Sequence, residues 1–166
     1  MKLRNIVEPD METTQSRYPD VLKSLLDYAN YCDENGDEDM TEYEILETSL
    51  RQITGKDISR FNLSEWWEEE GAEVLAFKIS LPDPIKVKDL SREEVQEIIR
   101  RLKSFEEPEV DDNSFSSQFR LYLDSYYHNF LALNCGGYQL KLFQRNRDKS
   151  GKYFEYSVDE ILEKIW

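Results

Sequence analysis

The residues best placed to do chemistry lie at 33–44, DENGDEDMTEYE, where oxygen-bearing side chains recur at every second position. Counting from Asp33, the side chains of Asn35, Asp37, Thr41 and Glu44 and the carbonyl of Asp39 supply a set of hard oxygens of the kind that calcium selects. Calcium is therefore the alternative cofactor, with Asp33, Asn35, Asp37, Asp39, Thr41 and Glu44 as its ligands. A second reading needs no metal. Thr41 followed by Glu44 is a capping box that would satisfy the free amides at the start of a helix, and it accounts for both residues. On that reading the loop is solvated, and no cofactor is expected.

The spacing of residues 33–44 resembles an EF-hand loop, in which Met40 would fill the apolar eighth position between flanking helices. It departs at the sixth position, where such loops turn on glycine. Glu38 stands there, and Gly36 lies two residues earlier. The nearest second loop, at 148–152, puts Lys149 and Lys152 among the would-be ligands and reads as a hairpin turn.

The other chemistry in this stretch is charge. Eight acidic residues fall between Asp33 and Glu47, with no Lys or Arg between Tyr28 and Ser49. Surfaces usually intersperse signs, because like charges repel. Asp33, Glu34, Asp37, Glu38, Asp39 and Glu42 are therefore candidate contacts to a basic protein partner, such as a nuclease toxin or a nucleic-acid enzyme. Glu65, Glu68, Glu69 and Glu70, set around Trp66 and Trp67, form a second acidic candidate with aromatic anchors.

Catalytic candidates are sparse. Cys135, in an Asn-Cys-Gly-Gly turn, and His128, the sole histidine, could pair as nucleophile and base, but no nucleophile signature surrounds them. Phosphate-loop, dinucleotide, zinc-protease and serine-hydrolase motifs are missing. No catalytic residue is assigned, and the chain is expected not to be an enzyme. Arg145, Arg147, Lys149 and Lys152 gather positive charge at one turn, a feature able to meet a second acidic surface.

Across the 166 residues, 35 acids oppose 21 bases, for a net charge of −14. That field repels phosphates and anionic membranes, so neither direct nucleic-acid binding nor membrane association is expected. The acidity is uneven: residues 1–90 carry 21 acids and 10 bases, and residues 91–166 carry 14 and 11. Two widely separated cysteines, no apolar leader and no long apolar run point to the cytoplasm.

The elements that must position these residues follow from periodicity. Val21, Leu22, Leu25, Leu26, Ala29 and Cys32 predict a helix over 18–32, with Pro19 in its first turn. Ile45, Leu46, Leu50 and Ile53 predict a second helix ending near Gly55, so the two form a hairpin around the acidic loop. Leu75, Phe77, Ile79 and Leu81 alternate, which predicts a strand over 73–81. Ser91 with Glu94, and Ser157 with Glu160, mark the starts of a crossing helix and a C-terminal helix. Alternation at Phe119, Leu121 and Leu123, at Leu131 and Leu133, at Tyr138, Leu140 and Leu142, and over 153–156 predicts an antiparallel meander, although 119–127 also suits a helix.

The expected fold is α+β in a single domain over 1–166. An N-terminal helical hairpin precedes a mostly antiparallel sheet, on which the crossing and C-terminal helices pack. Residues 1–15 are read as a flexible lead-in and 106–117 as a mobile acidic loop. The order NFLALNCGGYQLKLF, a hairpin, then SVDEILEKI, over 129–165, resembles the end of SMI1/KNR4-type immunity domains, where a sheet leads into a short terminal helix. That resemblance implies an immunity protein. With the acidic surface, it makes a non-enzymatic inhibitory protein, neutralising a basic toxin or nucleic-acid-binding protein, the expected function.

Overall fold

A computed structural model describes residues 1–104 and 113–166, and it overturns the α+β expectation. Among the described residues helix, 3-10 turns included, accounts for 59%, and the sheet has only two strands. The chain divides into two compact units, Asp10–Asp83 and the pair Met1–Pro9 with Pro84–Trp166. The acidic stretch 106–112 of the loop predicted over 106–117 lies outside the described residues.

In the unit Asp10–Asp83, helix α1 (Met11–Asn35) and helix α2 (Thr41–Thr54) form the predicted hairpin. Helix α1 starts well before the predicted 18–32. Asp10 caps it, its carboxylate accepting from the Thr13 amide at 3.0 Å and the Thr13 hydroxyl at 2.7 Å, so Pro19 sits inside the helix rather than in its first turn. Helix α3 (Ala72–Ser80) occupies the predicted strand. The reason lies in its burial: Ala72, Val74, Ala76, Phe77, Ile79 and Ser80 are all buried, and a run that is apolar on most sides satisfies a two-residue and a 3.6-residue period alike. Val21, Leu25, Tyr28, Leu46, Leu50, Ile58, Leu63, Ala76 and Ile79 make one core, against which Leu22, Cys32, Tyr43 and Phe61 are partly buried. Ile45, expected on the core side of α2, is 56% exposed.

Lys56 is buried against the C-terminal end of α3. Its buried ammonium donates to the carbonyls of Lys78 at 2.9 Å and Leu81 at 2.5 Å, satisfying acceptors that the end of α3 leaves without amide partners.

The other unit is built on helix α4 (Arg92–Lys103), short helix α5 (Phe115–Gln118), helix α6 (Asp124–Asn134) and helix α7 (Val158–Ile165). Both predicted capping boxes at its helix starts are present, Ser91 with Glu94 and Ser157 with Glu160. The predicted meander is not. Tyr126, Tyr127, Phe130 and Leu131 are buried at helical spacing along α6, leaving Leu133 44% exposed, and Leu140–Phe143 forms a 3-10 turn. Among the described residues only strands β1 (Asn146–Arg147) and β2 (Tyr153–Phe154) pair, with Arg147 opposite Tyr153, around the turn expected at 148–152. Aromatic residues suit either period, and here a helix gathers their rings into one stripe.

The N-terminal segment is tied down. Leu3 and Val7 are buried, and the Arg4 guanidinium spans both oxygens of Glu94, at 2.6 and 2.8 Å, while reaching Asp89 at 2.9 Å. Arg101 makes the matching pair to Glu8, at 2.9 and 3.0 Å, beside the Tyr127 hydroxyl at 2.7 Å. Asn134 fixes the segment entering α4 by accepting from the Val87 amide at 2.7 Å and donating to the Ile85 carbonyl at 3.1 Å. At Gly137 a side chain would meet the Lys164 carbonyl at 2.3 Å, so the lack of a β-carbon lets α7 approach.

Candidate functional site

The acidic turn is short and built. Helix α1 carries Asp33 and Glu34 on its last turn, Gly36 ends it with φ at 70° and its amide on the Cys32 carbonyl, and α2 begins at Thr41. Thr41 was expected to cap α2 through a box with Glu44. Instead, Met40 takes the cap position in a left-handed conformation, φ 60°, and no side chain there caps the helix. The free amides are met from upstream: Asp37 accepts from the Glu42 amide at 3.1 Å and the Tyr43 amide at 2.9 Å, and Asp39 accepts from Thr41 at 3.1 Å. The Thr41 amide holds the Asp39 carboxyl below the usual carboxylate range.

Sequence reasoning missed two tyrosines that organise the site. Tyr28 donates its hydroxyl to Asp37 at 3.0 Å and meets Tyr43 edge-on, the ring centroids 5.9 Å apart; burial raises its phenol pKa well above the ordinary value. The Tyr43 hydroxyl accepts from the Leu63 amide at 3.2 Å and donates to the Phe61 carbonyl at 3.4 Å. One chain of contacts therefore runs from Asp37 through Tyr43 to Leu63, which leads directly into the second acidic candidate. There the Asn62 side chain accepts from the Ser64 amide at 3.1 Å and the Glu65 amide at 3.2 Å, and a 3-10 turn, Trp66–Glu68, follows. Glu65, Glu68, Glu69 and Glu70 are exposed and Trp66 is half-buried. Trp67 lies in the turn, but its side chain is outside the described ones.

Charge in this unit is one-sided. Asp10–Asp83 holds 19 acids and six bases, a net of −13, whereas Met1–Pro9 with Pro84–Trp166 holds 16 and 15, a net of −1. Five of the six cations are engaged away from the turn: Lys23 with Asp27, Arg51 with Glu47, Lys56 and Arg60 with Asp83, and Lys78 with Glu70. Among the described residues, no Lys or Arg pairs with Asp33, Glu34, Asp37, Glu38, Asp39, Glu42 or Glu44. Beside them, α2 turns outward a stripe of Thr41, Glu44, Ile45, Thr48, Ser49 and Gln52 that lines a shallow concavity.

The calcium ligand set does not fit this geometry. Asp33 and Asn35 lie within α1, both Asp37 oxygens are taken by Tyr28 and the α2 amides, and the connecting segment is only residues 36–40. Among the described residues, no group of three or more His, Cys, Asp or Glu could hold a metal ion.

Cys135 ends α6 rather than sitting in a hairpin, and burial raises its thiol pKa, which lowers the thiolate fraction that a nucleophile needs. His128 lies on α6, its Nδ1 at 3.0 Å from the Tyr138 hydroxyl and its ring edge-on to Phe143. Burial lowers its pKa.

Comparison with protein-family models, curated proteins and solved structures found no match. The sheet on which the resemblance over 129–165 rested is replaced by α6, a 3-10 turn and a two-residue ribbon. Among the described residues, no helix is long and apolar enough to cross a membrane.

Proposed function

We propose that this protein is a non-enzymatic binding or inhibitory protein, of the kind that immunity proteins represent, which engages a basic protein partner through the acidic turn between α1 and α2. The observation that carries this reading is a preorganised, uncompensated turn. Asp37 is spent holding the turn's shape, which leaves Asp33, Glu34, Glu38 and Asp39 exposed and, among the described residues, paired with no Lys or Arg, in a unit of net charge −13. A surface held in one shape loses little conformational freedom on binding, and a concentrated field of one sign steers an oppositely charged partner. The exposed Ile45 and Met40 add apolar area beside the charges. Two unbonded cysteines agree with a reducing compartment such as the cytoplasm.

The test is a titration of a labelled Lys-rich peptide and of a basic ribonuclease, following peptide anisotropy and nuclease activity. Binding should weaken steeply with salt. Replacing Asp33→Asn, Glu34→Gln, Glu38→Gln and Asp39→Asn together should cost at least about tenfold in affinity, since each lost charge contact contributes a fraction of a kcal/mol or more. Equal affinity of that variant and the wild type would reject the turn as an interface and leave solubility as the use of its charge.

A further inference from the structure

The most distinctive surface outside the acidic unit is the β1–β2 hairpin, and we propose that it docks a carboxylate-rich segment of a protein partner. The proposal stands on the geometry of the hairpin and does not depend on the acidic turn. Arg145, just before β1, and Arg147, on it, both bring their side chains to Tyr153, which β pairing sets opposite Arg147. Both guanidinium groups lie over the Tyr153 ring, 4.3 and 4.8 Å from its centroid. Lys149 and Lys152 are exposed in the adjoining turn, and Tyr153 is itself 50% exposed.

What makes the cluster unusual, in a chain with 35 acids, is that it has no paired counter-charge among the described residues. Asp148, the one acid within the turn, is committed to its backbone: its Oδ1 accepts from the Ser150 amide at 2.8 Å, the Ser150 hydroxyl at 2.6 Å and the Lys152 amide at 2.9 Å. Glu155, the next acid after β2, pairs with Lys103 at 3.1 Å. Among the described residues, no carboxylate pairs with Arg145, Arg147, Lys149 or Lys152.

Stacking on an aromatic face limits the freedom of each guanidinium while leaving its N–H fork open, the arrangement suited to bidentate capture of a planar oxyanion. Carboxylates are the better match than nucleic acid for two reasons. Two guanidinium groups already stack on the Tyr153 ring, which leaves less of it open to stacking bases. The net charge of −14 opposes a phosphate backbone over its whole length. A short acidic segment presents fewer charges and can be met within about 8 Å, the screening length at physiological salt.

The experiment uses the full chain and three labelled probes: a peptide of alternating Glu and Ser, a single-stranded RNA oligonucleotide, and a neutral peptide of Gln and Ser. The acidic peptide should bind saturably and most tightly at low salt. Arg145→Ala with Arg147→Ala should weaken it about tenfold, the loss expected for one to two charged hydrogen bonds. Arg145→Lys with Arg147→Lys keeps the charge but removes the fork, and it should still weaken binding by about threefold or more. Asp33→Asn with Glu34→Gln should leave it unchanged or tighter, which separates this site from the acidic turn. No saturable binding of the acidic peptide, tighter binding of RNA, or equal affinity in the double-lysine variant would each overturn the proposal.

Discussion

Asp37 illustrates how a turn crowded with like charges keeps its shape. Its carboxylate meets two α2 amides and the Tyr28 hydroxyl, so repulsion from Glu38 and Asp39 is opposed by charge-assisted hydrogen bonds and the helix dipole. Asp37→Ala should cost about 1–2 kcal/mol, because it removes the cap of α2 and leaves a half-buried hydroxyl unmatched. Thermal unfolding with a chemical-denaturant titration checks this, and a loss below ~0.5 kcal/mol would show that the amides find water as readily. Lys56 offers a second test at this scale. Burial lowers its pKa to about 8, against 10.5 unperturbed. Between those values the unfolded chain holds more protons than the folded one, so stability contributed through Lys56 rises with pH. From pH 8 to 10 the wild type should gain roughly 1–2 kcal/mol relative to Lys56→Met, measured as paired unfolding free energies. A constant difference would mean that the ammonium is better solvated than its surroundings imply.

At the scale of the element, the helix starts show what local sequence can dictate. The boxes at Ser91 and Ser157 were legible because both partners lie within four residues, and the structure contains both. The similar pair Thr41 and Glu44 failed because the cap position of α2 falls one residue earlier, on Met40: the Glu44 amide bonds the Met40 carbonyl and the Thr41 amide bonds Asp39. Glu94 does double duty, since it also receives Arg4. Hydrogen bonds from Arg4, then from Ser91, hold its pKa at about 2, and Arg100 with Arg101 holds Glu97 at about 2. Both values lie below the unfolded 4.5, so their stabilisation is fully present above that pH and is lost as pH falls towards 2. Arg4→Met should flatten the acid limb of the stability profile between pH 5 and 2, read by urea unfolding at stepped pH. If the wild-type slope persists, other carboxylates dominate.

For the whole molecule, the consequence is a division of labour by charge. Asp10–Asp83 carries nearly all of the net acidity, while the rest of the chain is balanced and carries the cationic hairpin. Hydrogen exchange should report the division directly: Asp37→Ala should accelerate exchange in amides of 10–83, and Arg4→Met in those of 1–9 and 84–104. Acceleration spread evenly over the chain in both variants would indicate one cooperative unit.

The sequence by itself determined the helical hairpin, the two local capping boxes, the turn at 148–152 and the location of the charge, because each depends on residues within a few positions of one another. Only the tertiary structure decided that 72–80 and 124–134 are helices, since short apolar and aromatic runs fit both periods until their neighbours fix which faces are buried. It alone showed that the N-terminal residues are held by pairs such as Arg4 with Glu94, a separation no local pattern can reveal. The candidate site divides the same way. Its acids could be read along the chain, but Tyr28, Tyr43 and Asp37, which give those acids a fixed arrangement, act across a turn and between helices.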